Sequence, residues 1–118
     1  MNSDKAKALA ESWVAAWNAH DLPRILSHYT DDFEMTSPYI VQITGEASGT
    51  LRGKVAVGAY WQKALEKFPE LHFESRHVLY SPNSVTLVYQ SNRSGLAAEV
   101  FFVNAEDKIF KAVAHYMT

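Results

Sequence analysis

Glu99 stands as a lone carboxylate in the apolar run Leu96-Ala97-Ala98-Glu99-Val100-Phe101-Phe102-Val103. Such a run reads as a strand covered on both faces, where burial disfavours the ionised carboxylate and raises its pKa. A carboxyl that keeps its proton near neutrality is suited to general acid chemistry. The competing reading is a glutamate on a solvated strand, the commoner fate of this residue type. The two readings differ only in which way the side chain turns.

The other polar residues offer less. His20 and His28 flank a helical stretch, about 12 Å apart by rise alone. His72 and His77 are separated by an odd number on a predicted strand, so they point to opposite faces. Ligands must converge to hold a metal, and none is expected here. Asp31, Asp32 and Glu34 form an acidic patch that reads as a solvated helix end. There is no Gly-x-Ser-x-Gly elbow and no glycine-rich phosphate loop before a helix, so nucleophile-elbow and nucleotide chemistry are disfavoured. No cofactor is expected. The absence of cysteine removes disulfides and thiolate ligands.

The elements that must position Glu99 belong to one domain, residues 1–118, a length able to bury a substantial core. Eleven Lys and Arg against 13 Asp and Glu give a formal charge of -2 without a basic block, which argues against nucleic acid as a partner. No apolar run approaches a membrane span and the N-terminus leads into an amphipathic helix, so the chain reads as soluble and cytoplasmic.

Ser3 is the expected cap of a first helix, with Ala6, Leu9, Ala10, Trp13 and Trp17 on one face. Asp21 caps a second helix with Pro23 in its first turn and Leu22, Ile25, Leu26 and Tyr29 as its stripe, ending near Thr30-Asp31-Asp32. Phe33 to Ser37 alternates as a half-buried strand, with Phe33, Met35 and Ser37 on one face and Pro38 as its stop. Tyr39 to Arg52 reads as a long loop or irregular hairpin, a candidate lid. A third helix spans about Lys54 to Lys67. Four strands follow, about Leu71 to Tyr80, Val85 to Asn92, Leu96 to Asn104 and Lys108 to Met117, and their short breaks imply consecutive antiparallel pairing. This is an α+β pattern in which a curved sheet wraps helices on one face.

The element order, with Trp13-Val14-Ala15-Ala16-Trp17-Asn18-Ala19-His20-Asp21-Leu22, Tyr29-Thr30-Asp31-Asp32-Phe33 and Leu51-Arg52-Gly53 opening a helix, resembles the SnoaL-like branch of the nuclear transport factor 2-like superfamily. The resemblance covers nearly the whole chain. It implies a conical barrel of strongly bent, mostly antiparallel sheet around the N-terminal helices, a cystatin-like fold enclosing an apolar cavity, and a homodimer through the convex sheet face. It spans ketosteroid isomerases, polyketide cyclases, scytalone dehydratases, limonene-epoxide hydrolases and proteins without chemistry, so it specifies fold far more than function.

In the ketosteroid isomerase pattern, the oxyanion-binding tyrosine falls on Trp13, the aspartate base on Ser37 before Pro38, and the protonated oxyanion-hole aspartate on Glu99, nine residues before Lys108. The acidic position alone is retained. The epoxide-hydrolase pattern would make Glu99 one carboxylate and Arg76 its linker, with no second inward carboxylate evident.

The resemblance turns Glu99 inward, and period-2 alternation carries Ala97, Phe101 and Val103 with it. On the last strand Phe110, Ala112, Ala114 and Tyr116 are placed inside, while Lys111, Val113, His115 and Met117 face a partner or solvent. Trp13, Trp17, Tyr29, Met35, Ser37, Tyr60, Trp61, Phe101 and Tyr116 are the expected pocket wall, with Phe68 among the inward aromatics. Val100, Phe102, Val113 and His115 form the expected dimer face. Three functions follow: a cofactor-free isomerase, cyclase or lyase using Glu99 on a small apolar or aromatic molecule; a small-ligand-binding domain without chemistry; or a dimeric interaction module with a filled barrel.

Overall fold

In the computed structural model, which describes residues 1–118, helix α1 (Ser3–Asn18) buries Ala6, Ala10, Trp13, Ala16 and Trp17 along one face. Its cap is Asn2, not Ser3: the Asn2 side-chain oxygen accepts from the Lys5 N–H at 2.8 Å. Asp21 caps α2 (Leu22–Leu26), which is shorter than expected. Tyr29 is not part of its stripe but opens strand β1 (Tyr29–Thr36). Backbone pairing with the final strand explains the change, since Tyr29 stands beside Ile109 in that ladder.

The segment expected as a loop contains a helix. Ser37 leaves β1 with extended backbone and its Oγ accepts from the Tyr39 N–H at 3.2 Å, so Ser37-Pro38 is a cap followed by proline in the first turn of α3 (Pro38–Thr44). Gly45 ends α3 in the left-handed region at φ 78°, as a helix-terminating glycine can without strain. Strand β2 (Thr50–Arg52) then pairs antiparallel with β1, and α4 (Gly53–Lys67) follows.

The four remaining strands lie close to their expected positions: β3 (Phe73–Ser81), β4 (Ser84–Ser91), β5 (Gly95–Val103) and β6 (Ile109–Tyr116). They form an antiparallel meander, and β1 adds parallel to β6 to give the order β2-β1-β6-β5-β4-β3. The result is a curved open sheet with β2 and β3 as its edges. Helix α1 packs against β3 and α4 against β1, so both cover the same concave side.

A bulge corrects one assignment on β6. Phe102 pairs with Lys111 while the next residue, Val103, pairs with Ile109, leaving Phe110 as the extra residue. Ile109, Ala112 and Ala114 are buried, and Phe110 turns outward at 45% exposure. The inward alternation therefore holds for Ala112 and Ala114 and fails at Phe110.

Aromatic rings dominate the core. Trp13 lies 5.4 to 6.0 Å, centroid to centroid, from Trp17, Phe73, Tyr89 and Phe101. Complete burial of each such ring contributes roughly 1.5–3 kcal/mol, and the ring-to-ring geometry adds to it. This cluster joins α1 to β3, β4 and β5 and fixes the floor on which the site rests.

Candidate functional site

Glu99 projects from the concave face of β5. Leu87 and Ala114 flank it directly across the ladders, and Tyr89 and Tyr116 sit at the diagonal positions, opposite Ala97. Small Ala114 leaves space beside the carboxyl, whereas the long Tyr side chains can reach it. The side chain is withdrawn from water, with the residue 4% exposed, and its Oε2 has no hydrogen-bond partner. On the other face of the strand, Ala98, Val100 and Phe102 are half-buried within the single chain.

Burial pushes the Glu99 carboxyl up to about 8, and interaction with the Tyr89 hydroxyl offsets part of that rise. The surrounding phenols move the same way. Burial lifts Tyr60 to about 12, and Tyr29, Tyr89 and Tyr116 are raised as well, with the Glu99 charge adding to each rise. All four tyrosines therefore remain neutral hydrogen-bonding groups where Glu99 titrates.

The carboxyl borders a cavity of about 270 Å³ whose wall is mostly apolar. Of the residues expected in the wall, Trp13, Trp17, Met35, Tyr60, Trp61, Glu99 and Tyr116 line it. Tyr29, Ser37 and Phe101 do not. Tyr29 is buried behind the wall and accepts the Trp13 indole N–H at 2.9 Å, so that indole is already engaged. Phe101 packs under the Trp13 ring. Ser37 is buried as the α3 cap, where its Oγ accepts from the N–H of Tyr39, a residue that does line the cavity.

Several lining residues escaped the sequence reading. Tyr89 and Phe73 belong to strands whose alternation and register would have placed them inward, had the β4–β5 pairing been fixed. Tyr39, Gln42 and Ile43 come from α3, so the expected lid segment does border the cavity, as a helix. Lys67, Leu71, Ser91, Arg93 and Ser94 come from the α4 end, the turn after it, the end of β4 and the β4–β5 turn, and Phe68, expected among the inward aromatics, lines the cavity with them. Arg76 cannot link Glu99 to another acid, because it is on exposed edge strand β3 and pairs with Glu74 at 3.0 Å.

Two of the three acids in the patch outside the cavity have cationic neighbours. Glu34 faces both Arg52 and Lys111, and Asp31 faces Lys54. No three His, Asp or Glu side chains converge to hold a metal ion. Chemically, the arrangement offers one protonatable carboxyl in a confined aromatic space. Trp17 adds a buried indole N–H without a partner.

Comparison with known proteins agrees with this architecture. A SnoaL-like protein of unknown function from Burkholderia thailandensis is 50% identical, covers 99% of this chain and 98% of its own, and superposes with a TM-score of 0.96. A candidate isomerase of the SnoaL-like family from Agrobacterium tumefaciens is 17% identical over 98% of this chain and 100% of its own, with a TM-score of 0.78. The epoxide hydrolase/cyclase-like enzyme SalBIII, which acts in pyran ring formation in the polyether salinomycin, is 18% identical over 98% of this chain and 92% of its own, with a TM-score of 0.77. No curated protein matches the sequence. No helix is long and apolar enough to cross a membrane. The SnoaL-like domain profile matches residues 10–112, and the chain belongs to the SnoaL-like domain family.

Proposed function

We propose that this protein is a cofactor-independent acid/base enzyme that moves a proton on a small, largely apolar molecule, with Glu99 as the catalytic carboxyl. Isomerase, cyclase and lyase reactions are the classes that fit. The observation carrying this reading is the Glu99 carboxyl, buried beside a cavity with one oxygen unpartnered. At a pKa of about 8 it holds a proton at neutrality and still exchanges it readily, the compromise that general acid/base catalysis requires. The aromatic wall supplies apolar contact for the body of the substrate. The isomerase and cyclase names of the two distant neighbours are consistent with proton-transfer chemistry, though likeness at that identity speaks to fold alone.

Small aryl ketones in deuterium oxide serve as surrogate substrates for the test, because exchange of protons next to the carbonyl reports proton transfer directly by NMR. The wild-type protein should accelerate exchange and Glu99→Gln should not. Equal exchange by both removes Glu99 from the chemistry.

A non-catalytic ligand-binding domain is the second reading, favoured by the isolation of Glu99: no histidine or second carboxylate lines the cavity with it. Under that reading Glu99→Gln changes ligand affinity and nothing is turned over.

The proposed assembly is a homodimer through the outer sheet face. Val100 lies between Thr86 and Val113, and Ala98 between Val88 and His115, on a face that neither α1 nor α4 covers.

A further inference from the structure

An apolar ligand accounts only in part for the charge gathered at one end of the cavity. The lining contains three ionisable charges: Glu99 in the interior, and Lys67 and Arg93 at the rim. Both cations gather on one ring, with the Arg93 guanidinium 4.0 Å and the Lys67 ammonium 5.6 Å from the Phe68 centroid.

This rim is held in place by its own hydrogen bonds. Buried Ser91 accepts from the backbone N–H groups of Arg93 and Ser94 at 3.1 and 3.4 Å. Asn92 clips the same turn to the chain after α4, donating to the Glu70 carbonyl at 2.7 Å and accepting from the His72 N–H at 2.9 Å. The turn that bears Arg93 is thus fixed against the segment that bears Phe68. Yet the guanidinium itself makes no hydrogen bond, and its nearest carboxylate, exposed Glu70, stands at 3.9 Å, the outer limit of an ion pair. Five N–H donors in a fixed fork are left for something else.

We propose that the Arg93–Lys67 rim binds the carboxylate of a small amphipathic acid whose apolar body occupies the cavity below. This inference rests on the ligand-pocket reading above and adds the class of ligand: a monoanionic aryl or alkyl carboxylic acid. Arg recognises a carboxylate by two parallel hydrogen bonds, and stacking on Phe68 presets the plane of the fork. A protonated Glu99 leaves the cavity with two positive charges and no negative one, so the ligand's anion meets attraction at the rim and no opposing charge inside.

The test is calorimetric titration with hydrocinnamate, phenylbutanoate and phenylhexanoate, each beside its primary amide. The best-fitting acid should bind about tenfold tighter than its amide, the scale of a charge-assisted hydrogen bond. Lys67→Gln with Arg93→Gln, both at exposed positions, should abolish that preference while amide binding persists. Glu99→Gln should keep the preference even where it ends proton exchange, which separates this inference from the catalytic one. The inference is overturned if no acid in the series binds, if acids and amides bind equally, or if the preference survives removal of both cations.

Discussion

The indole Nε1 of Trp13 donates to the hydroxyl of Tyr29 at 2.9 Å in the buried interior, tying α1 to the first residue of β1. Because Tyr29 pairs with Ile109 across the parallel ladder, this one bond also connects α1 to the strand that borders Glu99. Removing the acceptor strands a buried donor, and that loss generally costs about 1–3 kcal/mol. Tyr29→Phe should therefore lower stability by that amount in urea unfolding without changing the far-ultraviolet spectrum. Trp13→Phe should cost more, since it also thins the packing against Trp17, Phe73, Tyr89 and Phe101. A double variant less damaging than the sum of the two would confirm that they act through the shared bond.

Glu99 makes stability depend on pH with a definite sign. Its folded pKa of about 8 lies above the ordinary 4.5, so the folded state holds the proton more tightly than the unfolded chain. Between pH about 4.5 and about 8 the unfolded state binds fewer protons, and this contribution to stability falls as pH rises. The loss amounts to a few kcal/mol and levels off above the folded pKa. Glu99→Gln should flatten this slope and be more stable than the wild-type protein at pH 8, read as a higher Tm. Removing a proton next to a carbonyl needs the ionised carboxylate, so exchange with Glu99 as the base should rise as pH passes through about 8.

The helix-and-meander frame was legible because its signals were long and periodic: Trp13 and Trp17 at helical spacing, and four strands separated by short polar breaks. The inward turn of Glu99 was not readable from its own segment, where both faces looked apolar; it came from a family resemblance. What stayed hidden was set by pairing between distant segments. Phe110 looked like an inward residue by alternation, and only the bulge opposite Phe102 and Val103 turns it out. Tyr29 fits a helical stripe by spacing, and the β6 ladder draws it into β1 instead. The α3 helix was masked by Ile40, Val41, Ile43 and Thr44, β-branched residues that favour extended chain, although Ser37-Pro38 carried a start signal. Trp13, Trp17, Met35, Tyr60, Trp61 and Tyr116 were foreseen in the wall, whereas the cationic rim drew no attention, because Lys67 and Arg93 look like ordinary surface residues in sequence.

Ser37 shows how a residue outside the cavity can control its wall. Its Oγ caps α3 through the N–H of Tyr39, which lines the cavity. Ser37→Ala should cost about 1 kcal/mol from the lost cap and loosen α3 over the cavity. Hydrogen exchange should show faster opening of residues 38–44 with little change in β4 and β5. Ser37→Thr, which retains the hydroxyl, should restore most of the protection; Ser37→Asp would not, because it places a charge beside buried phenols.

The proposed dimer makes the final prediction, and it depends on the face opposite the cavity. Val100, Phe102 and Val113 are half-buried on that face in a single chain, and His115 continues the row beyond Ala98. An unpartnered sheet face of this kind leaves apolar area in water, at roughly 25 cal/mol for each Å² that a second copy could cover. Light scattering during size exclusion should therefore give twice the 13.3 kDa of one chain. Val100→Glu places a charge at the centre of the patch and should produce a monomer, while Val55→Ser, exposed on α4 away from the sheet face, should leave the dimer intact. If the Val100→Glu monomer keeps wild-type affinity for phenylalkanoates, each cavity is complete within its own chain; a lost affinity would mean that the two sheets support each other's curvature.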